Sequence, residues 1–180
     1  LAQLDFVRRR EDLIFTGDSG TGKSHILKAF ALRGCHQQMR VRYARCVDLV
    51  NDLHAGLADD TYERRLRRWA SVEFLVLDDV GLGQLRKRED EPTAAHSLFN
   101  LIDRRHARAS TAVTSNIKLS AWGRYLGDAT ITKAILDRLV MHAISMDIQG
   151  PSYRQHLATQ RANKRSAKSA RKPKPNPEPA

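Results

Sequence analysis

The sequence predicts an α/β domain built on a parallel sheet. Three observations carry that expectation. Short apolar runs of strand length alternate with segments whose apolar residues recur at helical spacing. Residues Gly17 to Ser24 spell G-x-x-x-x-G-K-S, a phosphate-binding loop set between a strand-like run and a helix-like one. The most apolar of the later runs ends in two acids, Asp78 and Asp79.

Taken in order, Leu13-Ile14-Phe15-Thr16 reads as a first buried strand. Ile26, Leu27, Phe30 and Ala31 then mark one face of a helix, with Gly34 as its expected stop. Val41-Arg42-Tyr43 is a short second strand. Leu49, Val50 and Leu53 belong to the helix that follows, and Leu66 and Trp69 to another. Phe74-Leu75-Val76-Leu77 is a third strand, apolar throughout and therefore covered on both faces. Ala95, Leu98, Phe99 and Ile102 space out a further helix, and Thr111-Ala112-Val113-Thr114 is a fourth strand ending in Ser115-Asn116. Ile131, Ile135 and Leu139 line a helix over residues 129–141, and residues 143–148 form a last strand.

Charge is distributed unevenly along the 180 residues. The net charge is +11, and residues 161–180 carry +6 of it, with seven Lys or Arg against Glu178. The rest of the chain holds +5, so both portions favour an anionic partner. The division expected is an ATPase core over residues 1–158 and a basic, disordered tail over 159–180, because Lys172-Pro173-Lys174-Pro175 and its continuation cannot build a core. Cys35 and Cys46 have no paired spacing and read as free thiols in a reducing compartment. No apolar run approaches the roughly 18–20 residues needed to cross a bilayer. The chain opens on Leu1 rather than Met, inside amphipathic sequence, so the expectation is a fragment or an upstream region beyond this sequence.

The tetrapeptide Gly17-Asp18-Ser19-Gly20 also surrounds the nucleophile of chymotrypsin-like proteases, but that reading fails here. Such folds are all-β, and their histidine precedes their serine, whereas the first histidine in this chain is His25. The phosphate-loop reading is better supported, since a random match arises roughly once in 10⁴ positions at average residue usage. Its chemistry explains the spacing. Gly17, Gly20 and Gly22 let the backbone curl so that successive N–H groups face a phosphate at a helix N-terminus. Lys23 would reach the β- and γ-phosphates of ATP or GTP, and Ser24 would offer its hydroxyl to Mg²⁺. Asp18 would serve through its backbone while its side chain faces solvent. Asp78 is placed to hold Mg²⁺ through water, and Asp79 to orient or deprotonate the attacking water. Two aspartates after a strand are otherwise a turn or a cap. Asn116 would polarise the same water if its strand lies between the first and the third. No H-E-x-x-H and no clustered Cys/His spacing supports another metal site.

Six segments occur in the order of one family: "GDSGTGKSH" (residues 17–25, ending on His25), "VDLVNDL", "ERRLRRWASVEFLVLDDVG", "LFNLIDRRHARASTAVTSN", "AWGRYLGDATITKAILDRLVMHA" and "GPSYR". Over residues 6–156 the chain resembles the IstB-like helper ATPases of insertion-sequence transposition, relatives of the DnaC helicase loaders in the AAA+ class. The resemblance implies a five-stranded core of order 5-1-4-3-2, bacterial and cytoplasmic, with ATP between the subunits of a homo-oligomer assembled on double-stranded DNA. It also implies a helper that remodels target DNA and passes it to a transposase. On the matching positions, residues 17–25 are the nucleotide loop, Asp78 and Asp79 the Walker-B acids, and Asn116 the first sensor. Arg138 would reach a neighbouring subunit's γ-phosphate, and Arg154 would act as a sensor near the nucleotide.

Two departures from the family pattern matter. The family usually has Glu where this chain has Asp79, one methylene shorter, which points to sound ATP binding with slow hydrolysis. The family also carries a region ahead of the ATPase core that this sequence does not include. Two other functions fit the same residues: a loader of a replicative helicase, and a nucleotide-gated DNA-binding scaffold with little turnover. Arg64-Arg65-Leu66-Arg67-Arg68 and Arg104-Arg105-His106-Ala107-Arg108 are expected either as phosphate contacts or as solvated helix faces. The basic tail is expected to bind DNA nonspecifically, with an affinity that falls steeply with salt.

Overall fold

A computed structural model describes residues 1–83, 85 and 93–170. Its centre is a five-stranded sheet of β1 (Asp12–Thr16), β2 (Val41–Arg45), β3 (Phe74–Val80), β4 (Ser110–Ser115) and β5 (Ala143–Asp147). All neighbours are parallel, in the order β2-β3-β4-β1-β5, which is the expected 5-1-4-3-2 read from the other edge.

Successive strand residues point to opposite faces, and the two faces have separate cores. Leu13, Phe15, Phe74, Val76 and Ala112 face one side. There they meet Phe6 and Val7 of α1 (Asp5–Arg8) and Leu27 and Ala31 of α2 (Lys23–His36). Ile14, Leu75, Leu77 and Val113 face the other side. They are covered by α3 (Cys46–Ala58), α4 (Tyr62–Ala70), α5 (Ala94–Arg105), α6 (Trp122–Leu126) and α7 (Ala129–Met141). Asp128 starts α7 by accepting the Ile131 N–H at 2.8 Å, an N-cap that leaves the sheet-facing Ile135 and Leu139 buried.

Three expectations are corrected. Gly34 lies inside α2 rather than ending it, because a Cβ there would stand 2.8 Å from Val41 Cγ2; the glycine admits β2 close to the helix, which continues to His36. The residues beyond 158 do not lose structure at that point. α8 (Tyr153–Ala170) runs on through them, since Ala, Arg, Lys and Gln are good helix formers and the first tail proline is Pro173. The Lys/Pro stretch at 171–180 lies outside the described residues. Finally, the arginine runs are not uniform exposed faces. Arg65 is tied to Asp52 at 2.6 Å and Asp59 at 2.9 Å, and Arg105 is buried.

Candidate nucleotide-binding site

The parallel sheet delivers the C-terminal ends of its strands to one edge, and the loop after β1 lies there. Gly17, Gly20 and Gly22 all have positive φ, at 127°, 89° and 97°, a conformation other residues adopt only with strain. Two of them are also closely packed. A Cβ on Gly17 would stand 2.2 Å from the Ile148 carbonyl oxygen, and one on Gly20 2.2 Å from Ser152 Oγ. The Tyr153 N–H donates to the Gly20 carbonyl at 3.1 Å, so the start of α8 is pinned on the loop.

Lys23, the first residue of α2, is buried, and its Nζ donates to the carbonyls of Gly17 at 2.7 Å and Asp18 at 2.6 Å. Burial lowers its pKa, against the pull of Asp79, Asp18 and Asp78 in the opposite direction. The Asp18 side chain is exposed and its carbonyl accepts from Lys23. Ser19 and His25 are exposed on the rim, while Thr21 Oγ1 closes the turn by donating to the Asp18 carbonyl at 2.9 Å.

Asp78 lies on the α2 face of β3 and is almost wholly buried. Its carboxylate accepts from Ser24 Oγ at 2.8 Å, from Thr114 Oγ1, and from the Tyr43 hydroxyl. Burial first, and the Asp78 carboxylate second, push the Tyr43 pKa upward. The ladder between β3 and β4 shifts register between Leu77 and Val80, and Asp79 sits in that shift with φ 60°. Irregularities of this kind re-aim side chains at the ends of strands. Here the Asp79 N–H donates to Thr114 Oγ1 at 2.8 Å, and its carboxylate accepts from Asn116 Nδ2 at 3.2 Å. β4 does lie between β1 and β3, the condition set for Asn116.

Lys23, Ser24, Asp79, Asn116 and Arg154 line one cleft of about 740 Å³. Arg138 does not. It sits on α7, bonded through Nε to Asp103 at 2.8 Å with its guanidinium over the Phe99 ring. Sequence reasoning missed Tyr43 and the bridging role of Thr114. Strand order would have found both, because Tyr43, Thr114 and Asp78 share the α2 face on adjacent strands.

The donor set suits a hard cation bound with a phosphate. Ser24 and Asp78 offer only oxygen, and no group of three or more His, Cys, Asp or Glu forms a metal cage among the described residues. No helix among the described residues is long and apolar enough to cross a membrane. A family model described as "IstB-like ATP binding protein" matches residues 1–161. The chain belongs to the IstB-like ATP-binding protein family. It is 32% identical over 154 residues to the insertion sequence IS5376 protein of Geobacillus stearothermophilus, covering 86% of this chain and 59% of that one. It is 34% identical over 154 residues to the insertion sequence IS21 protein of Pseudomonas aeruginosa, covering 86% and 56%. Both are named as ATP-binding proteins, and this IstB-like chain spans less than two thirds of their length.

Solved structures of low identity share the fold. The DnaC helicase loader superposes with a TM-score of 0.62 at 19% identity, over 81% of this chain and 85% of that one. DnaA of Aquifex aeolicus, solved with AMPPCP, gives 0.64 at 18% identity, over 91% and 47%. The parallel sheet of the IstB-like chain is therefore of the AAA+ P-loop type.

Proposed function

We propose that this chain binds ATP with Mg²⁺, hydrolyses it, and uses that cycle to bind and remodel double-stranded DNA for a transposase. The observation that carries the reading is the joining of the loop to the acids: Ser24 Oγ stands 2.8 Å from Asp78, and Asp79 is paired with Asn116 across the same cleft. Lys23 would bind the β- and γ-phosphates, and the N–H groups of residues 20–24 would cradle them. Ser24, and Asp78 through water, would hold Mg²⁺, which when bound neutralises charge on the phosphates. Asp79 would orient the attacking water and take its proton, and Asn116 would hold the Asp79 carboxylate in place. Arg154, on the cleft wall, would sense the nucleotide. Arg138 does not line its own cleft and is partly exposed, which supports a role on a neighbouring subunit in a homo-oligomer.

ATP turnover measured with and without duplex DNA tests the reading, with Lys23→Ala as control. DNA-stimulated hydrolysis that Lys23→Ala abolishes supports the enzyme. Nucleotide-dependent DNA binding without turnover would favour the scaffold, which the short Asp79 makes credible. The fold likeness to the DnaC helicase loader favours a second partner, a replicative helicase. Co-purification with a transposase, but not with a replicative helicase, would exclude it.

A further inference from the structure

The opposite edge of the sheet, where the strands begin, carries a second and larger cleft of about 860 Å³. β3 separates the two clefts by its seven residues, about 20 Å at the usual rise. Arg8, Arg10, Arg40, Arg67, Arg104 and Arg108 line this one. They come from the end of α1 and the turn after it, the turn before β2, α4, the end of α5 and the turn before β4. One carboxylate, Glu73, lines the cleft with them among the described residues. Glu73 accepts from the Arg40 N–H at 3.0 Å and from its Nε at 3.4 Å. Arg104 is held by Glu63 at 2.8 Å. Arg8, Arg10, Arg67 and Arg108 are exposed and enter no ion pair among the described residues.

The floor of this cleft is rigid. Arg105, buried beneath it, donates to the carbonyls of Ala70 at 3.0 Å and Val72 at 2.7 Å, both of which line the cleft, and to that of Ser110. Four guanidinium groups with no ion pair among the described residues stand around that floor, a concentration of positive charge that favours an anion. The chemistry of the rim selects which anion. Guanidinium forks match phosphate oxygens two at a time. A small phosphate would satisfy one or two of six forks drawn from five places in the chain. A protein partner would need an aromatic or deep apolar anchor at its centre, and no aromatic residue lines this cleft. We propose that the groove binds the phosphate backbone of duplex DNA, at the end of the sheet away from the nucleotide. The proposal rests on the DNA-binding part of the function above and is independent of its transposase part.

The test measures the affinity of the full chain for a labelled duplex by fluorescence anisotropy, between about 50 and 200 mM salt. Each phosphate contact contributes about −0.9 to the slope of log K against log salt. The combined variant Arg8→Gln, Arg10→Gln, Arg67→Gln, Arg108→Gln should therefore flatten the slope by about 3–4, and Arg67→Gln with Arg108→Gln alone by about half as much. Affinity for a fluorescent ATP analogue should stay at the wild-type value in both variants, which also reports that they fold. A wild-type salt slope in the combined variant overturns the groove. If deletion of residues 161–180 then abolishes binding, the tail is the DNA contact and the DNA reading survives without the groove. Wild-type protein that binds no duplex in any nucleotide state removes both. A poly-glutamate chain that displaces the duplex as readily as unlabelled DNA of equal charge makes the groove an acidic-protein site and overturns the nucleic-acid assignment.

Discussion

Asp79→Glu should raise the rate of ATP hydrolysis while lowering stability. Two bonds hold Asp79: its N–H to Thr114 Oγ1 at 2.8 Å fixes the backbone, and Asn116 Nδ2 to its carboxylate at 3.2 Å orients the side chain. Glutamate adds one carbon–carbon bond, about 1.5 Å of reach, from the same starting point. A misplacement of about 1 Å can cost on the order of 10²-fold in rate, so restoring the reach should give about 10- to 100-fold in single-turnover hydrolysis. The opposing effect comes from φ 60° at this residue. Aspartate tolerates the left-handed region better than glutamate, whose longer side chain should cost on the order of 1 kcal/mol there. For a chain of 180 residues that loss lowers Tm by about 2–4 °C. The assay is chemical quench at saturating ATP and Mg²⁺, with the nucleotide Kd and Tm measured beside it. Asp79→Glu that binds ATP normally yet hydrolyses it no faster than wild type would refute the reach argument. Asp79→Ala that keeps the wild-type rate would remove Asp79 from catalysis altogether.

Two further predictions concern stability. Gly17→Ala and Gly22→Ala both place a methyl at positive φ, but only the first drives it into backbone, 2.2 Å from the Ile148 carbonyl oxygen; nothing lies within 4 Å of the second. Gly22→Ala should cost about 1–2 kcal/mol and Gly17→Ala clearly more, and equal losses in urea unfolding would contradict the packing described. At the other end of β1, burial raises the Asp12 pKa to about 7, against a bond from the Thr111 N–H at 2.7 Å and the nearby Arg105, both of which favour the anion. Unfolded, this carboxyl ionises near 3.9. Between about pH 4 and 7 the unfolded chain therefore gives up a proton that the folded chain keeps. Asp12 accordingly withdraws about 1–4 kcal/mol of stability as pH rises through that window and no more above it. Asp12→Asn keeps the acceptor for Thr111 and should lose this pH dependence. Parallel stability curves for variant and wild type from pH 4 to 7 would show the assignment to be wrong.

The fold is legible where strands are buried on both faces, as β1, β3 and β4 are, most clearly in the continuous apolar run Phe74–Leu77. Helix ends are less legible. A glycine near a periodic segment reads as a stop, yet at Gly34 an added Cβ would meet Val41, a residue of the next strand, at 2.8 Å. α1 has four residues, too few for a period to register. In the arginine runs, neighbours in sequence have opposite fates. Arg104 reaches outward to Glu63, while Arg105 turns under α5 to hold Ala70, Val72 and Ser110. A helix turns about 100° per residue, so adjacent arginines cannot share a face, and composition alone cannot say which one is buried.

The two clefts differ in legibility for one geometric reason. In a parallel sheet each loop that follows a strand opens on the same edge, and a phosphate needs several consecutive N–H groups there. That requirement is met by a contiguous stretch, residues 17–24, so a single motif reports it. Asp78, Asp79 and Asn116 likewise follow directly on their strands. The opposite edge is built from residues that precede strands, and each segment brings one or two arginines. Arg10 stands two residues before β1, Arg40 directly before β2, and Arg108 two before β4, with Arg67 added from α4. No spacing in the chain relates them; only the register of β1, β2, β3 and β4 does, by pairing Val41 with Phe74 and Phe74 with Ser110. A site read by backbone N–H groups is thus written in one place in the sequence. A site read by side chains from several strand starts becomes visible only once the strands are in order.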